Sequence, residues 1–372
     1  VEVTVFEAAP EPGGMISLAP AFRLPKEAIL ADVRRLEKLG VIFHFRSPVK
    51  SAQELLEQGF DAVFLGLGFP EEAKLGIPGE EGPGVFGALE FFRLLGAGKA
   101  KLGPKVVVVG GGNTAMDAAR AAWRLTKNPV TVIYRRTRAE MPAHPEEVEE
   151  LLWEGNELLE LVSPVRILRE GEKVSGVVCV RNRLGEPGPD GRPKPIPIPG
   201  SEFEIPADAV IVAVGQRPEI RFYEGSSLVL HPDGRLAVDP ETGETNLYRV
   251  YGGGDAARGP ATVIEAVADG RRAAFAILKK LGLPYPELFP VPSPQDHLEL
   301  KRKKAQKVMP FGPELLPPAE RGNFAVVELP FDPQKARLEA ERCLQCRTLC
   351  DKCVEVCPNR ANLPYIIRTG IF

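Results

Sequence analysis

Apolar and polar positions along the chain follow two periods. Residues 3–6 (VTVF) form an apolar, β-branched run that closes at Glu7, and similar short runs recur at 41–45 and 61–65. Between them, Pro25 to Gly40 carries Ile29, Val33, Leu36 and Leu39 on one face, which predicts an amphipathic helix. The stretch 105–109 (KVVVV) reads as a buried strand, followed by a glycine turn, a helix from about Asn113 to Leu125, and a further strand at 130–134. This strand–helix–strand order predicts an α/β fold with a parallel sheet and right-handed crossovers. Ser163 to Ile198 reads as short strands around the Gly/Pro-rich stretch LGEPGPDGRPKPIPIPG, and 208–214 (DAVIVAV) adds a buried strand. Residues 283–318 are proline-rich and include the basic run KRKK at 301–304, which predicts a surface linker with a solvated charged face. Asp332-Pro333 has the N-cap and first-turn pair of a helix that leads toward a group of cysteines.

Length and charge narrow the picture. The 372 residues suffice for two or three domains. With 47 basic and 50 acidic residues the net charge is −3, which points to neither a nucleic acid nor a membrane surface as partner. No apolar run approaches the roughly 18 residues a membrane crossing needs, and no signal peptide is visible before the first strand. Cys179 stands alone, whereas Cys343, Cys346, Cys350, Cys353 and Cys357 fall close together. A secreted disulfide framework spreads its cysteines through the fold. A dense, odd-numbered group argues for a metal and for a reducing compartment, so a cytoplasmic location is expected.

Two glycine-rich segments carry chemistry. In VVVVGGGNTAMDAAR (106–120), Gly110 makes the tight turn off the strand and Gly112 lets backbone approach a pyrophosphate. Ala115, in the third small position, lets the helix pack on the sheet, and the helix N-terminus faces the phosphates. The next strand ends in Tyr134-Arg135-Arg136, with arginines where NAD-preferring sites carry an acid, so the expected coenzyme is NADP(H). In VYGGGDAARGPATVIEAVADGRRAA (250–274) a strand enters Gly253-Gly254-Asp255 and a long helix begins near Ala261. An acid after such a turn can bond a ribityl hydroxyl of a flavin. Glu7 closes a strand where an adenosine ribose would be held, and Gly13-Gly14-Met15 follows.

FEAAPEPGGM, AFRLPKEAI, LGIPGE, GGGNTAMDAAR, YRRTRAEMPA and the 252–274 segment occur in this order, and with them the chain resembles the glutamate synthase small-subunit family. That family includes the N-terminal part of dihydropyrimidine dehydrogenase. The resemblance covers residues 1 to about 281. It implies two nested Rossmann-like domains: a discontinuous FAD domain (1–98 and 216–282) with an NADPH domain (99–215) inserted, then the linker (283–331) and a small helical iron–sulfur segment (332–372). By the same resemblance Glu7, Gly13, Gly14, Gly66, Gly68, Gly254, Asp255 and Thr262 match FAD-contacting positions, with Met15 and Ala261 beside them. Gly112, Asn113, Thr114, Ala115, Arg135 and Arg136 match NADPH-contacting ones, and Gly110, Asp117 and Gly215 complete that set. The family's FAD domain opens with a strand and a G-x-G-x-x-G turn that precede the position of Glu7. The chain is therefore expected to be a fragment that holds FAD weakly.

RCLQCRTLCDKCVEVCPNRAN spaces its cysteines C-x₂-C-x₃-C-x₂-C-x₃-C-P, close to a ferredoxin pattern in which one loop wraps a [4Fe–4S] cluster. Four of the five are expected as ligands, with Cys357 the outlier. Structural zinc and redox-active thiols are the alternatives, although zinc ribbons separate their two pairs by about 15–20 residues. In the glutamate synthase small subunit the cysteine motif precedes the flavin domain. Here it follows, in an order that resembles the flavoprotein subunit of the selenate reductase family. The expected function is transfer of electrons from NADPH through FAD to the cluster and on to a partner subunit or domain. The competing expectation is a non-enzymatic nucleotide-binding module with a zinc site. His44, His144, His231 and His297 show no ligand spacing and receive no role.

Overall fold

The structure, a computed structural model, describes residues 1–188, 191–284 and 311–341. By their internal contacts these form two units. The first comprises Val1–Ser47, Glu71–Arg217 and Leu315–Leu329; the second comprises the described parts of Pro48–Pro70, Pro218–Glu314 and Pro330–Phe372. This division crosses the expected FAD domain, since residues 1–47 and 71–98 group with 99–215.

The first unit is built on a five-stranded parallel sheet in the order Val85–Gly87, Ala209–Val212, Val106–Val109, Thr131–Tyr134 and Glu157–Glu160. Val106–Val109 and Ala209–Val212 are buried at every position, as strands covered on both faces require. Helix Asn113–Thr126 crosses over from Val106–Val109 to Thr131–Tyr134 and lays Ala115, Ala118, Ala119, Ala121 and Ala122 into the core. The small side chains let it lie close to the valines.

Beside this sheet stands an antiparallel one of Val162–Glu170, Lys173–Pro187, Pro193–Pro197 and Phe203–Pro206. The expectation of short strands around a long loop fails here. The second strand runs 15 residues, into the segment read as loop, and PKPIP forms its edge partner. Prolines 193, 195 and 197 alternate, so their missing N–H groups all fall on one side of the strand. An edge strand tolerates that on its outer side.

Two further parallel pairs are short. In the first unit Thr4–Phe6 pairs with Ile42–His44, and Val3, Val5 and Ile42 stay exposed. The predicted helix forms as Lys26–Lys38, yet Leu36 and Leu39 of its apolar face are also exposed. In the second unit Val63–Leu65 pairs with Val250–Gly252, which leads into a one-turn helix at Asp255–Arg258 and then helix Val263–Lys280. A two-stranded pair falls below the three strands a self-sufficient sheet needs.

The described end of the expected linker is not a surface strand of chain. Arg321 and Val327 are buried, and Val327 donates its N–H to the Phe22 carbonyl at 3.0 Å. Asp332 does cap helix Pro333–Glu341, accepting from the N–H groups of Gln334 and Lys335 at 2.8 Å each. Cys343, Cys346, Cys350, Cys353 and Cys357, together with KRKK, lie outside the described residues. Among the described residues no helix is long and apolar enough to cross a membrane.

Candidate dinucleotide site

The glycine turn after Val106–Val109 is shaped by two contacts and left open at a third. A Cβ on Gly110 (φ +153°) would lie 2.3 Å from the Ala213 carbonyl oxygen, so the neighbouring strand excludes any side chain there. A Cβ on Gly111 would lie 2.4 Å from the Tyr134 ring. Sequence reading passed over Gly111, because its constraint comes from the next strand. Gly112 differs: a Cβ would meet nothing nearer than Pro142 at 3.8 Å. Protein packing gives no reason for glycine at this position, whereas a phosphate drawn against the backbone would. Gly112 begins helix Asn113–Thr126, and no side chain caps that end. Ala115 N–H already donates to the Gly112 carbonyl at 2.9 Å, so the N–H groups of Asn113 and Thr114 are the ones such an end can offer an anion. Ala115 is fully buried, with its Cβ 3.2 Å from the place a Gly110 Cβ would take. The third small position therefore seats the helix on the turn.

A loop lies over this turn. Thr137 and Glu140 form a capping box, the Tyr134 hydroxyl donates to the Glu140 carbonyl at 2.8 Å, and Ala143 N–H donates to the Gly111 carbonyl at 3.1 Å. Asn113 is used here as well, its Oδ1 accepting from His144 N–H at 2.9 Å. Gly215 (φ +133°) follows Ala209–Val212 and accepts from Ala73 N–H at 3.0 Å, on the sheet edge that carries Gly110.

The two arginines separate. Arg135 is exposed, whereas Arg136 is 5% exposed and donates Nε–H to the Pro193 carbonyl at 2.6 Å. Of the two, Arg135 is the one whose side chain is exposed to solvent. Asp117 is also committed elsewhere: Arg23 Nε donates to its carboxylate at 2.7 Å. Burial, partly offset by Arg23, pushes the Asp117 carboxyl above its ordinary range.

Asp117 belongs to an ionic lattice that sequence reading missed. Arg23, Arg120, Arg124 and Arg321 interleave with Asp117, Glu147, Glu150 and Glu154, and the Phe22 ring lies under the guanidiniums of Arg124 and Arg120 at 4.0 and 5.0 Å. It ties helix Asn113–Thr126 to helix Pro145–Trp153 and to the 315–329 segment.

The candidate FAD positions fall on both units. In the first, Glu7 holds the N–H of Ala9 at 2.8 Å, Gly13 and Gly14 take φ +112° and +51°, and Met15 packs on the core. In the second are Gly66, Gly68, Gly254, Asp255, Ala261 and Thr262. Gly254 (φ +61°) turns the chain after Val250–Gly252, and its N–H donates to Asp269 Oδ2 at 2.9 Å. Asp269, another residue that sequence reading missed, is buried and also takes Arg258 Nε–H at 2.8 Å. Asp255 Oδ1 accepts from Ala261 N–H at 3.1 Å, and burial raises its carboxyl. The Thr262 hydroxyl is spent on a capping box, donating to Glu265 at 2.7 Å. The start of helix Val263–Lys280, unlike that of Asn113–Thr126, is already capped.

Comparison with known proteins bears on the family and the fold. The NADP(+)-dependent formate dehydrogenase subunit beta of Moorella thermoacetica is 38% identical over 93% of this chain and 51% of its own length. The glutamate synthase [NADPH] small chain of Escherichia coli is 37% identical over 76% of this chain and 64% of its own length, so the resemblance to that family holds. The chain thus spans between half and two thirds of these relatives. Among solved structures, FprA of Mycobacterium tuberculosis, in complex with NADPH, superposes with a TM-score of 0.61 at 22% identity, over 76% of this chain and 78% of that one. It shows the same α/β fold with Rossmann-like units. The profile of the pyridine nucleotide-disulphide oxidoreductases matches residues 43–270, and the chain belongs to that family.

Proposed function

We propose that this chain is the electron-input part of an NADPH-dependent flavoprotein, taking a hydride from NADPH onto FAD and delivering electrons to a [4Fe–4S] cluster and a partner subunit. The observation that carries the reading is the open cradle at Gly112, beside an uncapped helix end and an exposed arginine in the place of an acid. In this reading Gly110, Gly112, Asn113, Thr114, Ala115 and Gly215 shape the pyrophosphate site and Arg135 pairs with the 2′-phosphate. Arg136 and Asp117 support it through the contacts described above. Glu7, Gly13, Gly14, Met15, Gly66, Gly68, Gly254, Asp255, Ala261 and Thr262 would hold FAD, within the nested division 1–98 with 216–282 and 99–215. Bound FAD would supply the step from a two-electron hydride to single electrons, which iron–sulfur centres accept.

The cluster is supported by the cysteine spacing, and the partner by the naming of similar proteins as subunits, including the NADPH-Fe(3+) oxidoreductase subunit beta of Geobacter sulfurreducens at 36% identity. A cysteine run of this kind fits a reducing cytoplasm. A flavin-linked dithiol exchange, the other chemistry of this family, is disfavoured. Cys179 is fully buried and burial pushes its thiol up to about 12, leaving it neither exposed nor a thiolate.

Titrating the purified chain with NADPH and NADH tests the reading. NADPH should bind at least about tenfold tighter, the worth of one charge-assisted contact. Equal affinity would sink it. Anaerobic reconstitution should give about four irons and four sulfides per chain. One zinc and no iron would leave a nucleotide-binding module with a structural metal.

A further inference from the structure

The antiparallel sheet Val162–Glu170 to Phe203–Pro206 enters the reading above only through Pro193, yet a further buried side chain from it reaches the arginine turn. Asn182, in the long strand Lys173–Pro187, is 4% exposed. Its Nδ2 donates to the Arg135 carbonyl at 3.1 Å and to Ser163 Oγ at 2.8 Å. Its Oδ1 is buried without a hydrogen-bond partner among the described residues. A buried acceptor left unpaired is unfavourable, and an apolar side chain of that size would avoid it. The amide is therefore accounted for by its donor end.

Two more bonds meet at the same place. Leu161, a non-glycine residue at φ +57°, turns the chain between strands Glu157–Glu160 and Val162–Glu170. Its N–H donates to the Arg136 carbonyl at 3.0 Å, and its carbonyl accepts Asn182 N–H at 2.7 Å. A branched residue in the left-handed region is a strained choice that persists when its surroundings require it. Together with Arg136 Nε on the Pro193 carbonyl, both carbonyls of the arginine pair and the second guanidinium are fixed by the antiparallel sheet. The Arg135 side chain alone is left to solvent.

We infer that Asn182 is a positioning residue for coenzyme choice: through the Arg135 carbonyl it holds the turn from which Arg135 meets a 2′-phosphate, so the antiparallel sheet acts as a brace for that selectivity. The inference rests on the NADPH reading. A loosened turn leaves the pyrophosphate cradle intact, because Gly110–Ala115 are held by other contacts. The loss should therefore appear in ligands with a 2′-phosphate and not in those without.

The experiment compares 2′,5′-ADP with 5′-AMP by calorimetry on the wild-type chain and on Asn182→Leu. The expected result is a fall of about five- to tenfold in 2′,5′-ADP affinity, on the order of one hydrogen bond, with 5′-AMP unchanged. In an Arg135→Gln background the Asn182→Leu effect should disappear, which a merely structural role would not produce. Should the leucine variant fail to fold, Asn182→Ala serves with the same two outcomes. If the wild-type chain discriminates and the Asn182 variant discriminates equally, the inference is wrong and the coenzyme reading stands. If the wild-type chain shows no preference for the 2′-phosphate, both are overturned.

Discussion

Replacing Glu154 with leucine removes a counter-charge shared by three buried guanidiniums, of which Arg120 and Arg124 bond it directly and Arg321, at 3.6 Å, keeps Glu150. Its carboxylate is fully buried and accepts four hydrogen bonds: from Arg120 at 3.1 and 2.8 Å, and from Arg124 at 2.9 Å twice. Charge-assisted bonds contribute about 1.5–3 kcal/mol each, so a plain sum would reach roughly 6–12 kcal/mol. The sum overstates the loss. Arg120 keeps Glu147 and Glu150, and Arg124 keeps the carbonyls of Arg120 and Asn323. What remains is one buried cation, Arg124, with neutral partners only. Breaking a buried pair costs about 3–5 kcal/mol, and the retained bonds place this case near 3. For a unit of this size that corresponds to a Tm lower by roughly 6–12 °C. The chain's two tryptophans, Trp123 and Trp153, flank the lattice, so their fluorescence in a urea titration reports on this unit. The pH dependence adds a check. Burial alone would raise the Glu154 carboxyl, but hydrogen bonds from Arg124 and Arg120 outweigh it and hold the group below its ordinary value. A depressed acid stabilises the fold above its ordinary titration range, and that contribution is lost as pH falls through the folded-state value. The gap between wild type and variant is thus full at neutral pH and narrows below about pH 4. A loss under about 1 kcal/mol at neutral pH would refute the idea that Glu154 neutralises this cluster.

Three further outcomes are expected. Arg135→Asp should abolish the preference for NADPH over NADH, at a cost of about 1.5–3 kcal/mol in NADPH binding. Arg136→Asp should act mainly by lowering Tm, and equal selectivity losses without a Tm change would contradict the division between them. Gly111→Ala drives a methyl into the Tyr134 ring and should lower both Tm and dinucleotide affinity, whereas Gly112→Ala should spare Tm and lower affinity alone. If Cys343, Cys346, Cys350 and Cys353 hold the cluster, Cys346→Ser should reduce iron content more than Cys357→Ser; equal losses would mean that Cys357 is a ligand.

The strand–turn–helix around Gly110 was legible because every determinant is local: a run of four valines, then glycines, then an alanine-rich helix whose observed span, Asn113–Thr126, departs by one residue from the expected one. The same locality explains the failures. In sequence Arg135 and Arg136 are equivalent cations, and what separates them is Pro193, 57 residues on from Arg136. Arg120 and Arg124 have helical spacing that suits a solvated face. Only Glu150 and Glu154 from the next helix, and Arg321 from 171 residues beyond Glu150, turn that face into an interior. Proline misled for a related reason. It was read as a break in the strand, whereas its real constraint is directional, and an alternating series on an edge strand satisfies it. These failures concern one side of the molecule. The antiparallel sheet that proline composition concealed is the sheet that buries Arg136 and supports Asn182. A motif can therefore announce that a dinucleotide binds, because the phosphate cradle is made of consecutive backbone. The arginine pair of the expected NADPH site is consecutive too, but the contacts that separate Arg135 from Arg136 come from a distant sheet, and those have no consecutive signature to read.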